Sequence, residues 1–132
     1  MRNCKTIDIE DELQKALNLD GIKAAAPPVP ANLAPSVFVY RTGGFSQAYV
    51  QDVNTVDFDI YARTEAEAMA RACNLTEWVR ALPERQLEGA TVYFSDITTL
   101  PYNNPDPNNP TLPRATFSAQ IGTRVTHRKE TA

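Results

Sequence analysis

Asp57 and Asp59 stand one residue apart in a strand-like stretch, so their two carboxylates share one face. Paired carboxylates can hold a divalent cation or divide acid–base work. Such sites need several convergent groups, and no third ligand of recognisable spacing accompanies this pair. A Ser, Thr or Cys nucleophile needs a base within hydrogen-bond reach. The single histidine, His127, sits in a polar C-terminal stretch. Cys4 and Cys73 make neither a CxxC pair nor a metal-ligand spacing, and a reducing compartment is the default reading. Gly43-Gly44 could be mistaken for a phosphate cradle, but no GK[ST] follows and no helix opens there. Arg124, His127, Arg128 and Lys129 could touch nucleic acid; a terminal basic group more often simply solubilises the chain.

The elements that must position these residues are legible in the apolar pattern. Asp8 to Leu19 reads as a short helix: Ile9, Leu13, Ala16 and Leu17 recur at helical spacing, Asp8 can cap it, and Gly21 can stop it. Glu10, Asp11 and Glu12 suit the positive end of its dipole and a solvated face. Ile22 to Ala26 suggests a short edge strand, and the prolines from Pro27 to Pro35 an extended connection. Val37 to Tyr40 is a continuous apolar run, as in a strand buried on both faces or at an interface. Thr-Gly-Gly-Phe within Arg41 to Gln47 reads as a hairpin connection. A long strand is expected from Tyr49 to Ala62, with Val56, Phe58, Ile60 and Ala62 on one face and Asp57, Asp59 and Tyr61 on the other. Val53 falls out of phase, which suggests a bulge or bend near Asn54.

Thr64-Glu-Ala-Glu67 is a capping box opening a helix that should run to about Leu82, where Pro83 ends it. Ala68, Ala72, Leu75, Val79 and Leu82 form its apolar stripe, widened by Met69, Cys73 and Trp78. Cys73 is accordingly expected as a packed thiol, Cys4 as an exposed one, and Trp78 as half-buried packing. Glu84 to Gly89 is a turn, and Val92, Tyr93, Phe94 and Ile97 mark the next strand. Pro101 to Pro113 holds five prolines and four asparagines and reads as a long loop. Arg114 to Val125 alternates cleanly through Ala115, Phe117, Ala119, Ile121, Thr123 and Val125. Residues 126–132 read as a flexible tail.

With 132 residues the chain is expected to be one domain able to bury a core without staples. Net charge is −3, with 6 basic against 9 acidic residues in the first 66 positions and 7 against 7 in the rest. The negative balance does not advertise nucleic-acid binding. Neither a signal-peptide core nor an apolar stretch long enough for a membrane span is evident, which suggests a cytoplasmic product.

The succession Asp57-Phe-Asp-Ile-Tyr-Ala-Arg-Thr-Glu-Ala-Glu-Ala, followed by a helix ending in Val79-Arg-Ala-Leu-Pro, resembles the tail terminator proteins of long-tailed bacteriophages. Pro105-Asp106-Pro107 stands where that family has a Pro-Asp loop, and Pro113-Arg114-Ala-Thr-Phe-Ser-Ala resembles the opening of its last strand. The resemblance follows the order of elements over most of the chain. It implies an α+β domain with a mainly antiparallel, four- to five-stranded sheet and two helices packed on it. It implies a homohexameric ring that caps the tail-tube protein, stops polymerisation and docks the head-tail connector proteins, with DNA passing through the lumen. The expected setting is the virion tail or neck, reached from the host cytoplasm during assembly, with no enzymatic activity, metal, cofactor or membrane involved. Phe45, Tyr49, Tyr102, Asp106 and Arg114 are the candidates for contacts with neighbouring copies or partners. Asp57 and Asp59 are the candidates for the channel wall, where acidic side chains would repel DNA.

Other classes remain open. A head-completion or connector protein of the same virion has similar size and a similar lack of chemistry. A small α+β ligand-binding domain or enzyme would need a polar pocket, expected between the sheet and the Pro/Asn loop. A nucleic-acid module would rely on the C-terminal basic group and show salt-dependent retention of DNA.

Overall fold

In the computed structural model, which describes residues 7–25, 36–47 and 51–125, the first element is the helix α1 (Ile9–Leu19). The Asp8 side chain accepts a hydrogen bond from the Asp11 N–H at 3.2 Å, satisfying one of the helix's orphan donors. At the other end Gly21 adopts φ +80°. The Gly21 N–H then reaches Asn18 O at 3.1 Å and the Ile22 N–H reaches Leu17 O at 2.9 Å. These two bonds make the left-handed glycine stop foreseen from the sequence. Ile9, Leu13 and Leu17 point into the core.

Five strands follow the order β1-β2-β3-β5-β4 in one sheet. They are β1 (Ala24–Ala25), β2 (Ser36–Gln47), β3 (Gln51–Tyr61), β4 (Ala90–Asn103) and β5 (Arg114–Val125). β1 runs parallel to β2, and the other neighbours are antiparallel. The molecule is therefore a small α+β domain with a mixed sheet. Beside α1 and α2 (Glu65–Arg80) it has a third, four-residue helix, α3 (Leu82–Arg85). The helices cover one face, burying Val37, Val39, Val56, Phe58, Ile60, Ala115, Phe117, Ala119 and Ile121. Phe58 and Phe117 stack there with centroids 4.8 Å apart.

Several boundaries differ from the sequence reading, each for a physical reason. Gly43-Gly44 is no hairpin connection: β2 continues to Gln47, and the register shifts between Arg41 and Gly43. Glycine pairs mark bulges as well as turns. Gly44, at φ +138°, leaves no room for a Cβ against the Val53 carbonyl. The irregularity expected near Asn54 lies in the β2–β3 pairing, where the register shifts on the β2 side opposite Val56 and Thr55, while β3 pairs with β5 without a break from Asp52↔Thr123 to Tyr61↔Arg114. Asn54 instead occupies a core-facing position, its Nδ2 donating to Ile121 O and Thr123 Oγ1, both at 2.9 Å. Val53, on the other face, is buried too.

α2 opens as expected, with Thr64 Oγ1 accepting the Glu67 N–H at 3.0 Å. Glu67 reaches back to the Arg63 N–H at 3.0 Å, one residue before the cap itself. The helix stops at Arg80 rather than Leu82, and Pro83 lies in the first turn of α3. There its missing N–H breaks no intrahelical bond. Cys73 is exposed rather than packed. It follows the buried Ala72, and one residue rotates the side chain about 100° around the helix axis. Trp78 is half-buried between α1 and α3, its Nε1 donating to Asp20 at 2.6 Å and its ring 5.4 Å from the Arg85 guanidinium. β4 runs through Pro101 to Asn103, shortening the Pro/Asn loop to 104–113. Proline is compatible with strand structure here because β4 is an edge strand.

Candidate functional site

The sheet face opposite the helices carries a polar cluster assembled from β3, β5 and the 104–113 loop. Strand alternation places Asp57, Asp59 and Tyr61 on it from β3, and Arg114, Thr116 and Ser118 from β5. Thr116 Oγ1 donates to Asp59 Oδ1 at 2.8 Å and accepts from Asn104 Nδ2 at 3.1 Å. Arg114 Nη1 lies 3.5 Å from Asp59 Oδ2 and 3.8 Å from Asp106 Oδ2. The same guanidinium donates from Nε to Asn104 O at 2.6 Å, from Nη1 to Tyr61 OH at 3.3 Å and from Nη2 to Pro105 O at 3.5 Å. Tyr61 OH in turn donates to Asp106 Oδ2 at 3.0 Å. The Tyr61 ring also packs edge-on against Phe38, with centroids 5.6 Å apart.

Burial sets the electrostatics here. The side chains of Arg114, Asp59 and Asp106 are 12, 11 and 15% exposed. Burial pushes the Asp59 carboxyl above its ordinary value, against the opposing pull of Thr116 and Arg114. Burial and then the Asp59 charge push Tyr40 up to about 12. Asp106 is held below the usual carboxylate value, first by the Asn108 backbone N–H and then by Tyr61 and Arg114. For Arg114, burial works against the charge, but Tyr61, Asp59 and Asp106 together carry its pKa upward. The arrangement ties the Pro/Asn loop to the sheet, and the charge of Arg114 is spent inside the subunit.

Three of the residues singled out from sequence, Asp59, Asp106 and Arg114, thus come together. Asp57 lies beside them, partly exposed, its Oδ1 accepting from Ser118 Oγ at 2.6 Å. Phe45 and Tyr102 are exposed but on different strands, the far half of β2 and the far end of β4. Tyr49, Cys4 and the basic residues His127, Arg128 and Lys129 lie outside the described residues. Among the described residues no three His, Cys, Asp or Glu side chains gather as a cation would require. No helix among them is long and apolar enough to cross a membrane.

Two side-chain amides whose roles the sequence did not reveal treat the sheet edges. Asn18, on α1, accepts the Ala24 N–H at 3.1 Å and donates to Ala24 O at 3.2 Å. Gln86 accepts the Val92 N–H at 2.7 Å and donates to Val92 O at 2.9 Å. Each amide offers β1 or β4 the donor and acceptor that a further strand would supply. Gln86 does so at φ +67°, a conformation that non-glycine residues rarely adopt. Two α1 carboxylates act similarly: Glu10 accepts the Arg41 N–H at 2.7 Å and Glu12 the Gly89 N–H at 2.9 Å. The acidic first turn is therefore more than a dipole complement. No local signal distinguishes these four residues, because their partners come from other elements.

Edge coverage is incomplete. β1 pairs only with Val37 and Phe38, so β2 from Thr42 to Gln47 has a strand neighbour on one side only among the described residues. On the opposite side of the sheet β4 is likewise one-sided from Phe94 to Asn103. Leu100, 67% exposed, and Tyr102 stand on that edge, and Phe45 on the other. A groove of about 480 Å³ also opens on the helical side between α2 and the β1–β2 edge. Its lining includes Ile22, Val37, Ile60, Leu75 and Trp78, with Lys23 and Arg71 among its polar groups.

Fold and surface together define a small α+β domain built on a single sheet, each of whose edges lacks a strand neighbour over part of its length among the described residues. No protein-family model matches the chain. No curated protein matches it either.

Proposed function

We propose that this chain is a structural subunit that works by assembling with copies of itself, and that its setting is the bacteriophage tail terminator ring. The observation that carries self-assembly is the pair of one-sided strand edges on opposite sides of one sheet, both bearing exposed apolar side chains. Unpaired edges recruit other strands unless they are covered. A head-to-tail contact that closes makes a ring. The finer assignment rests on the ordered resemblance in the sequence. On this reading the ring covers the last layer of tail tube and presents a surface to the head connector. DNA passes through its lumen. Asp57 is the aspartate suited to a channel wall, since the charge of Asp59 is answered by Arg114.

Negative-stain microscopy of the purified protein, alone and mixed with tail tubes, tests this reading. Rings, or tubes capped at one end, are expected. Capture by portal assemblies instead of tube ends would move the chain to the head-completion class. A protein that stays single beside tubes would remove the assignment. The groove favours one other reading, a binder of small amphipathic anions, because it combines an apolar lining with Lys23 and Arg71. Monomers whose melting temperature rises with such a ligand would support that reading.

A further inference from the structure

The groove on the helical side has one wall on α2. Arg71, Asn74, Leu75 and Trp78 line it at positions i, i+3, i+4 and i+7, which places them in one stripe along the helix. Arg71 and Trp78 stand about 10 Å apart along the axis, at about 1.5 Å per residue. The opposite wall is the α1–β1 connection, where the exposed Lys23 follows Ile22. Val37, Ile60 and Leu75 are buried aliphatic side chains at its base. At the Trp78 end the indole N–H is already spent on Asp20. The Arg85 guanidinium that packs over the ring is spent on the same carboxylate. That end therefore offers apolar surface, its ring donor taken. Charge lies elsewhere along the groove. Lys23 and Arg71 line it, and no carboxylate does so among the described residues, although the chain carries a net −3. Glu67, one turn before Arg71, lies 3.3 Å from its Nη2. The Arg63 backbone N–H and then Arg71 hold Glu67 below its ordinary value, so it stays ionised. Two positive charges less this negative one leave a single positive charge for a ligand to answer.

We propose that this groove binds a monocarboxylate with a medium-length hydrocarbon chain, its head group at Lys23 and Arg71 and its chain lying along Leu75 toward Trp78. The volume of about 480 Å³ suits a small molecule of this kind. Burial of the chain against Val37, Ile60 and Leu75 supplies most of the affinity. The two cations select for charge, and charge-assisted hydrogen bonds hold the carboxylate. A singly charged head balances the rim, whereas a dianionic phosphate would keep one negative charge unanswered. The exposed Asn74 amide stands on the same rim and can donate to the head group. This inference deepens the groove reading above, on which it rests, and is independent of the phage setting.

Trp78 is the only tryptophan of the chain, so its fluorescence reports on this groove. Octanoate is expected to shift the Trp78 emission saturably. It should bind more tightly than octanol, which has the same chain length without the charge. Lys23→Gln/Arg71→Gln changes two exposed residues. It should weaken octanoate about five- to tenfold, as loss of two partly exposed ion pairs implies, and leave octanol binding unchanged. Circular dichroism checks folding, and Lys23→Gln alone serves the comparison if the double variant melts early. Octanoate binding that the substitutions do not weaken would overturn the proposal. Octyl phosphate bound more tightly than octanoate would overturn the carboxylate and leave the groove reading standing. Binding of an anilinonaphthalene sulfonate that octanoate cannot displace would do the same. Octanol bound as tightly as octanoate would overturn both, since no preference for an anion would remain. No saturable response to any of the four probes would also overturn both.

Discussion

Replacing Arg114 with Met keeps most of the side-chain volume and deletes the charge that Asp59 faces across 3.5 Å. Both side chains are nearly nine-tenths buried, so water cannot take over the role of the guanidinium. Removing one partner of a buried pair costs about 3–5 kcal/mol, chiefly because the other charge is left unmatched. The lost donations to Asn104 O, Tyr61 OH and Pro105 O act in the same direction. Against them stands burial of a thioether, so the expected loss is about 3 kcal/mol. In urea, with a slope of about 1.5 kcal/mol per molar, the midpoint should fall by about 2 M. Asp59→Asn removes the stranded charge, and the amide can still accept from Thr116. The double variant Asp59→Asn/Arg114→Met should therefore be more stable than Arg114→Met alone, with a coupling of about 2 kcal/mol in the cycle. A loss below about 1 kcal/mol, or strictly additive effects, would refute the view that this pair is electrostatically committed.

Asp59 also makes a pH prediction. Its native pKa lies above the unfolded value near 3.8, so its protonated form favours the fold. Its contribution is fully present below 3.8 and is lost as pH rises through the higher native pKa, so wild type should gain stability on Asp59→Asn as pH falls through that window. Gln86→Ala should cost about 1–2 kcal/mol through the two lost bonds to Val92. Gln86→Gly should cost about 1 kcal/mol less, because glycine tolerates φ +67°; equal losses in chemical denaturation would argue against strain there. Gly122→Ala places a Cβ against the Phe94 ring and should cost about 1–3 kcal/mol. Phe94→Ala in the same chain should recover part of that loss, and no recovery in thermal melts would refute the contact. In a Cys4→Ser background Cys73 should react with a thiol reagent in the native protein without unfolding it; protection until denaturation would contradict its exposure.

Where local chemistry settles a boundary, the sequence was a sound guide. The Asp8 cap, the Gly21 stop, the Ala68–Ala72–Leu75–Val79 stripe and the core-facing set Ala115, Phe117, Ala119, Ile121 and Thr123 all stand as read. Errors fell where one residue type serves two geometries. Gly43-Gly44 could be a turn or a bulge, Pro83 a stop or a first-turn residue, and Pro101 a loop or an edge-strand residue. Asn54 broke the apolar phase because a buried asparagine can replace an apolar side chain once Ile121 O and Thr123 Oγ1 accept its amide hydrogens. Asp106 and Arg114 were visible as candidates, yet nothing local showed that they would meet Asp59 and Tyr61.

By itself the sequence determined where the two longer helices and the cores of the longer strands lie and which face of each is mainly apolar, because periodicity and caps act between residues a few positions apart. Only the tertiary structure decided which strands are neighbours, which edges stay open and which charges are cancelled. Those outcomes depend on contacts across long separations, such as Asp59 with Arg114 and Gly89 with Glu12, and a strand's pattern states what its face needs but not which segment will supply it.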